Sequence, residues 1–413
     1  MPERVFITGC GAVSPVGLTS SETWNGLRSG ESGVDTITSF DSEGYDTTFA
    51  AEITEFDPEI YVGKKQARRM DRFVQLASAA SLEALENSGL DITPINSERV
   101  SVMIASGIGG ITTLSEQIGV LKDRGPSRIS PFLVPMMLPD MASGQVSILT
   151  GAKGANYSTV SACASGADST GIAFEAIRRG DVDAAIAGAA EAAICPVGVA
   201  GFNACQALSK RNDDPKQASR PFDATRDGFV LGEGAGILIM ENLFSMESRG
   251  AKPIAELVGY GATADANHIT QPGPEGEGGA RAMRLALKQA ELQPEDIGYI
   301  NAHGTSTPLN DAVESRAIKR VFGKAASTVP ISSTKSMIGH SLGAAGALEV
   351  VPCIKAITEG IIHPTINYEY PDPDCDLDYV PNVARKKDVR VVLSNGFGFG
   401  GQNACLVFKE YST

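Results

Sequence analysis

The sequence predicts an α/β fold made of two similar halves, and three observations carry that prediction. Short apolar runs alternate with helical patterns along the whole chain. Glycine, 45 of 413 residues, recurs where strands end and helices begin and never gathers into a flexible linker. Two stretches echo one another, TVSACASGADSTGIAFEAIRRG at 159–180 and SSTKSMIGHSLGAAGALEVVPCIKAITEG at 332–360. Each passes from a strand through a reactive-looking residue into a helix of small side chains, ended by Gly180 or Gly360 in the C′ position. Helices so rich in Ala, Gly and Ser can pack backbone against backbone, which places both at the centre of the molecule. The halves are residues 1–252 and 253–413, meeting near 249–253.

In chain order, strands are expected at residues 4–8, 99–105, 156–160, 184–187, 237–240, 254–259, 298–301, 329–332, 389–393 and 404–408. Helices are expected at 21–29, 68–88, 165–179, 279–290, 311–322 and 342–359. The apolar runs are continuous, as in strands buried on both faces, so mostly parallel sheets covered by helices are expected. Lys64, Lys65, Arg68, Arg69 and Arg72 fall on one face at helical spacing, with Met70, Phe73 and Val74 on the other. Pro352 should kink or interrupt the last helix. The segment SNGFGFGGQN at 394–403 joins the last two strands by something other than an ordinary hairpin loop.

Composition bounds the function. The length fits two or three domains or one large duplicated core, and 42% hydrophobic with 20% charged residues is the balance of a folded globular chain. A net charge of −14 argues against a nucleic-acid binder, and any anionic partner must be met by a local basic patch. The seven cysteines are scattered without a C-x-x-C pair, as in reduced cytosolic thiols. With no basic leader and no long apolar stretch, a soluble cytoplasmic protein away from the membrane is expected.

Few positions carry chemistry. Cys163 follows a strand and opens the first small-residue helix, so its sulfur is expected among free N–H groups that favour thiolate. Cys10, Cys195, Cys205, Cys353, Cys375 and Cys405 lack that setting and read as packing residues. Of four histidines, His303 in NAHGTSTP follows a strand and His340 in STKSMIGHSLGAAG begins a small-residue helix. Their flanking glycines let a substrate approach the backbone closely, whereas His268 and His363 read as loop or core residues. Lys335 and Glu349 read either as surface charges or, in apolar surroundings, as groups that need a partner or an ion. The N–H groups of 394–403 could supply an oxyanion hole, with a phenylalanine on glycine hinges as a gate. RVFITGCG offers two glycines of a dinucleotide turn, but Ser14 stands where the third belongs, and no Walker A motif occurs.

Cys163, His303, Lys335 and His340, within SACASG, NAHGTSTP, STKSMIGH and GFGFGG, resemble the active-site motifs of the β-ketoacyl-acyl carrier protein synthases of the elongating type. GPSRISPFLVPMMLPDMASGQVS, RPFDATRDGFVLGEGAG, HITQPGPEGEGG and CDLDYVPN extend the resemblance over essentially the whole chain. It implies a thiolase-like fold, two similar halves with mixed, mostly parallel five-stranded sheets in α-β-α-β-α layers. It also implies a decarboxylative Claisen condensation in fatty acid biosynthesis, without a cofactor. Cys163 takes an acyl chain from a carrier thioester, and a malonyl carrier thioester supplies the attacking carbanion.

On that resemblance, the N–H groups of Cys163 and Phe399 form the oxyanion hole and His303 and His340 hold the malonyl thioester oxygen. Lys335 orients the site through a partner such as Glu349. Ile108, Phe202, Leu342 and Phe399 match acyl-pocket positions, and Thr270, Thr305 and Thr307 match substrate-binding ones. A structural cation falls near Asn301, Glu349, Ser394 and Asn395. Lys64, Lys65, Arg68 and Arg69 would dock an acidic acyl carrier protein in its acyl and malonyl forms. ISPFLVPMMLP resembles the dimer segment of a homodimer that closes a partner's pocket, here through Leu133. The second histidine, where thiolases have cysteine and initiating synthases asparagine, favours elongation. Ser161, Gln206 and Gly396 depart from frequent family residues and bear on rate and partner. Two rivals remain, a ketosynthase subunit of a type II polyketide or polyene system and a non-catalytic chain-length partner subunit. The second would lack the nucleophile that Cys163 supplies.

Overall fold

The computed structural model describes residues 2–412. Ten strands form its main sheet: β1 (Val5–Val13), β2 (Val100–Ala105), β3 (Asn156–Tyr157), β4 (Ala184–Glu191), β5 (Gly234–Asn242), β6 (Ala255–Ala264), β7 (Tyr299–Asn301), β8 (Ile331–Ser332), β9 (Val391–Gly398) and β10 (Gln402–Lys409). Their order across the sheet is β8-β7-β9-β10-β6-β1-β5-β4-β2-β3. Read inward from its edge, the first half is β3-β2-β4-β5-β1; adding five to each number gives the second. The pairing repeats as well. In each half the outer two ladders are parallel and the inner two antiparallel. Each half is therefore a mixed five-stranded sheet, with two parallel and two antiparallel ladders rather than mostly parallel ones. β1 and β6 join the halves edge to edge, with Val5 opposite Leu257 and Ile7 opposite Ala255.

Helices cover both faces. α1 (Arg72–Ser88) packs on β1 and β5 outside the first half, and α3 (Glu277–Ala290), backed by α4 (Pro308–Phe322), packs on β6 and β10 outside the second. Between the halves lie α2 (Ser165–Arg178), α5 (Ala345–Leu348) and α6 (Val350–Glu359), which complete the α-β-α-β-α layers. Burial on both faces explains the continuous apolar runs. In β10, Ala404, Leu406 and Phe408 meet the central helices, while Cys405 and Val407 face Met283 and Ile318 on the outside. Gly9 and Gly11 lie inside β1, where a Cβ would stand 2.3 Å from the Ala84 carbonyl oxygen and 2.0 Å from that of Ala80. The pair that hinted at a nucleotide turn lets α1 lie against the strand. Among the described residues, no helix is long and apolar enough to cross a membrane.

Two local readings need correction, at 68–88 and 394–403, and the expected interruption at Pro352 is found. The helix expected at 68–88 is two pieces: Glu59–Ala67 bends at Gly63 (φ 72°), and α1 starts afresh with the Asp71 carboxylate accepting the Phe73 N–H. The five cations therefore do not form one stripe, and Arg72 leaves the group to pair with Glu233 at 2.7 Å. Pro352 falls in the first turn of α6, and the helix breaks between Leu348 and Val350 because proline has no N–H for the Leu348 carbonyl. The 394–403 segment is a hairpin after all. Gly398 pairs with Gln402, and the three-residue turn is closed by Gly400 and Gly401 at φ 89° and 74°.

The central helices touch through backbone. A Cβ on Gly166 would lie 2.8 Å from Ala347 N and 3.0 Å from the Gly343 carbonyl oxygen. Each helix is entered through one residue at positive φ, Ala162 at 50° and Leu342 at 46°, followed by a 3-10 turn. The duplication thus reaches down to single residues, with Gly343 standing where Cys163 stands. Gly166→Val should force the helices apart and lower stability by about 1–3 kcal/mol, the usual effect of overfilling a packed site. Urea denaturation checks this, and an unchanged midpoint would rule out the backbone contact.

Candidate active site

The turn before α2, the loops after β7 and β8 and the β9–β10 hairpin converge on one cavity of about 660 Å³. Cys163, His303, His340 and Phe399 line it, together with Ile108, Phe202, Leu342, Thr270, Thr305 and Thr307. Lys335 lies behind this wall, 1% exposed. Leu133, half-buried on the short helix Leu133–Met137, does not reach the cavity of its own chain. Cys205 does, beside Gln206; it is exposed rather than packed, which corrects its assignment as a packing residue.

Cys163 sits in the 3-10 turn that leads into α2, with the N–H groups of Phe399 and of Cys163 itself turned toward its sulfur. The hairpin comes this close because Gly398 has no side chain. A Cβ there would lie 2.7 Å from the Ser161 carbonyl oxygen and 3.2 Å from Cys163 N. Burial pushes the thiol up to about 11, against the downward pull of the Lys335 ammonium and the two N–H groups, and Glu191 adds to the rise. The helix N-terminus thus does not make a resting thiolate, because desolvation outweighs it.

The imidazoles of His303 and His340 meet edge to face, centroids 5.3 Å apart. Burial lowers both well below the ordinary histidine value, and Lys335 pushes the same way, so both are neutral at neutral pH. Each buries Nδ1 without a partner. A proton on Nδ1 would be a buried donor with nothing to receive it, so it belongs on Nε2, where no protein group competes for it. Two N–H donors are thereby offered to the cavity. Glu314 holds the first ring's loop, accepting the N–H of His303 at 2.9 Å and of Gly304 at 2.8 Å. Asp311, one helical turn earlier, accepts the Thr305 N–H at 3.1 Å.

Behind the rings, Lys335 Nζ donates to Glu349 Oε1, and both side chains are 1% exposed. Thr334 Oγ1 also donates to Oε1 at 3.2 Å, while Oε2 is buried without a partner. The cation set expected around Glu349 is split. Asn301 and Ser394 lie beside it on the central face, but Asn395, the next residue along β9, points to the outer face and donates to Glu314 at 3.1 Å. The one carboxylate on the central side already carries Lys335. The four side chains therefore do not form one metal shell, and among the described residues no cluster of three acidic, His or Cys ligands occurs.

Sequence reasoning missed the buried acids Glu314, Asp311 and Asp168. Asp168 accepts the Ser161 hydroxyl at 2.5 Å and the Tyr260 hydroxyl at 2.7 Å, tying the nucleophile's turn to β6 of the other half. A usable signal existed for two of them: Asp311 and Glu314 are one turn apart on a helix that follows NAHG, so both face the loop.

Residues 2–244 match the family model described as Beta-ketoacyl synthase, N-terminal domain, and residues 254–369 match its C-terminal domain. Over 409 residues the chain is 51% identical to a Synechocystis protein named 3-oxoacyl-acyl-carrier-protein synthase 2, covering 99% of this chain and 98% of that one. A Staphylococcus aureus protein of the same name is 52% identical over 409 residues, 99% of each chain. Among solved structures, a β-ketoacyl synthase from Burkholderia phymatum has TM-score 0.92 at 38% identity, covering 99% of this chain and 100% of that one. A ketosynthase described in complex with its type II polyketide acyl-carrier protein has TM-score 0.92 at 36% identity, covering 100% of both chains.

Removing Lys335 tests the buried pair. In Lys335→Met the Glu349 carboxyl keeps the burial that raises its pKa and loses the ammonium that opposed it. The folded state then binds the carboxyl proton more tightly than the unfolded chain, so stability falls as pH rises above the ordinary carboxylate range. Urea midpoints should drop from pH 5 to pH 8 in the variant more steeply than in the wild type, with a loss of about 3–5 kcal/mol where the stranded carboxyl is ionised.

Proposed function

The chain belongs to the β-ketoacyl synthase family, and from that premise we propose how its residues run the reaction of an elongating 3-oxoacyl-acyl carrier protein synthase. The enzyme is an acyltransferase that extends acyl chains in fatty acid biosynthesis by decarboxylative Claisen condensation. One observation carries the division of labour: a thiol under two backbone N–H groups faces two neutral histidine donors across one cavity.

Cys163 sulfur attacks the carbonyl of an acyl carrier thioester. The N–H groups of Cys163 and Phe399 hold the oxyanion, the carrier thiol leaves with a proton, and the acyl chain remains on Cys163. Ile108, Phe202 and Leu342 receive the chain in an apolar pocket, which gains about 0.8 kcal/mol per buried CH₂. A malonyl carrier thioester then enters past Thr270, Thr305 and Thr307. Its carboxylate leaves as CO₂, and the electron pair left behind forms an enolate whose oxygen accepts from Nε2–H of His303 and His340. Each donor is worth about 3 kcal/mol where charge develops. The carbanion attacks the acyl carbonyl, the C–S bond to Cys163 breaks with its electron pair going to sulfur, which takes a proton from water to restore the thiol, and a 3-oxoacyl carrier thioester departs. Lys335, fixed by Glu349, favours the negative charge of both steps.

The partner is an acyl carrier protein. Lys64, Lys65, Arg68 and Arg69 are all exposed, form a basic patch on a chain of net charge −14, and suit an acidic carrier. The guanidinium of Arg69 lies 4.8 Å over the Phe132 ring, which holds part of the patch against the 125–147 segment. That segment exposes Val134 at 58%, and Ile118 at 57% and Ile148 at 72% flank it, next to the sheet-edge strand β3. A second copy of the chain would cover them and bring Leu133 to its partner's pocket, making a homodimer that works in the cytoplasm.

Cys163→Ala should abolish the acyl adduct seen by intact-protein mass and all condensation, while His303→Ala and His340→Ala should keep the adduct and lose condensation by about 100-fold or more. An adduct on another cysteine with turnover intact would overturn the nucleophile, and wild-type condensation in a histidine variant would overturn that histidine's role. Lys65→Glu with Arg68→Glu should raise KM for the acyl carrier protein about tenfold with little change for a small acyl thioester, and added salt should shrink the difference. Equal effects on both substrates would remove the patch from docking.

A further inference from the structure

Glu191, the last residue of β4, is fully buried beside the active site and takes no part in the chemistry described above. Its Oε1 accepts the Ser106 hydroxyl at 2.7 Å and the Ile108 N–H at 3.3 Å. Its Oε2 accepts the N–H groups of Gly107 at 2.7 Å and Gly343 at 3.1 Å. Among the described residues no cation pairs with it; its charge is met by backbone and one hydroxyl. Burial pushes the carboxyl up to about 7 against those donors.

The duplication explains the position. Glu191 ends β4 as Gly398 ends β9, and Gly343 occupies in the second half the place of Cys163 in the first. In the first half, the N–H groups of the nucleophile and of the hairpin turn form a hole for an oxyanion. In the second, the N–H of Gly343, together with that of Gly107, points at a carboxylate the chain supplies itself. Gly343 is the counterpart of one donor of that hole, while Gly107 follows β2 and has no counterpart in it; Glu191 thus joins a helix-entrance N–H of the second half to a loop of the first.

The residues it holds flank the acyl pocket. Ile108 follows Gly107 and Leu342 precedes Gly343, and both side chains line the cavity. The two backbones are close enough that a Cβ on Gly343 would lie 2.2 Å from Gly107 N. Leu342 sits at positive φ, a conformation that needs outside support in a residue with a bulky side chain.

We propose that Glu191 is the positioning residue of the acyl pocket: its carboxylate locks the Ser106–Ile108 loop to the Leu342–Gly343 turn, and the spacing so fixed between Ile108 and Leu342 sets which chain lengths Cys163 accepts. The inference rests on the reading of Cys163 as the acyl acceptor.

The test compares acyl transfer to Cys163 from butyryl and tetradecanoyl carrier thioesters, followed by intact-protein mass. In Glu191→Gln, where an amide N–H₂ faces N–H donors, the long-to-short rate ratio should fall about fivefold or more. The same substitution in an Ile108→Ala background should leave the ratio within about twofold, because the side chain it positions is gone. An unchanged ratio in Glu191→Gln, or an equal fall in the Ile108→Ala background, would overturn the proposal, since a merely structural loss ignores Ile108. If Glu191→Gln does not fold, Ser106→Ala removes one donor at little cost in volume and should shift the ratio in the same direction by about twofold; no shift would overturn the proposal. Absence of any adduct on wild-type Cys163 overturns the functional reading, whereas normal adducts with an unchanged ratio overturn this inference alone.

Discussion

The backbone contact between α2 and the turn into α5 is what the rest of the molecule depends on. Cys163 comes from one half of the chain and His340 from the other, and they share a cavity only if the two helix entrances approach more closely than ordinary side chains permit. Gly166, Ala167, Gly343, Gly346 and Ala347 allow that approach and in return contribute little apolar area. The larger residues farther along the same helices, Phe174, Ile177, Val350 and Ile354, supply the burial that holds the layer in place. Small residues at the entrances set the geometry, and large ones behind them stabilise it.

The same burial decides the state of every ionisable group in the site. Desolvation of these side chains keeps His303 and His340 neutral and Cys163 protonated, and it requires a counter-charge for Lys335. These consequences agree with one another. Lys335 opposes protonation of the rings, so they remain single donors, and it favours the negative charge those donors are placed to receive. A hydrogen bond to a developing enolate is also worth more in such surroundings than in water. The resting thiol fits a reaction in which charge appears only as bonds change, under N–H groups already in place.

Much of this was legible in the sequence, and the failures share a cause. Most strand runs could be read because strands buried on both faces are apolar without alternation, the exposed edge strand β3 being the exception, and Gly180 and Gly360 marked their helix ends by the positive φ they adopt. Cys163 and the two histidines stood out through small, glycine-rich surroundings. The break before α1 could not be read, because Asp71 is held there by Thr113, 42 positions away. Glu191 and Asp168 were invisible for the same reason: an isolated acid reads as a surface charge until the fold brings backbone N–H groups or hydroxyls to it. The split at Ser394 and Asn395 was readable, since neighbours on a strand face opposite sides.

Duplication imposes a condition that a single domain escapes. A fold that aims a helix-entrance N–H at a reacting oxygen in one half aims the corresponding N–H, that of Gly343, inward in the other half as well. There, with no substrate to meet it, a buried donor would cost about 1–3 kcal/mol. It must then bind something, meet water or be satisfied from within. Glu191 accepts it, and by spanning from Gly107 in one half to Gly343 in the other it converts a liability of the repeat into a tie across the seam. The asymmetry of the enzyme follows from a symmetric scaffold with Cys163 at one helix entrance and Gly343 at the other, and with Glu191 where the other half has Gly398, so that a carboxylate takes the N–H that the second entrance would leave open.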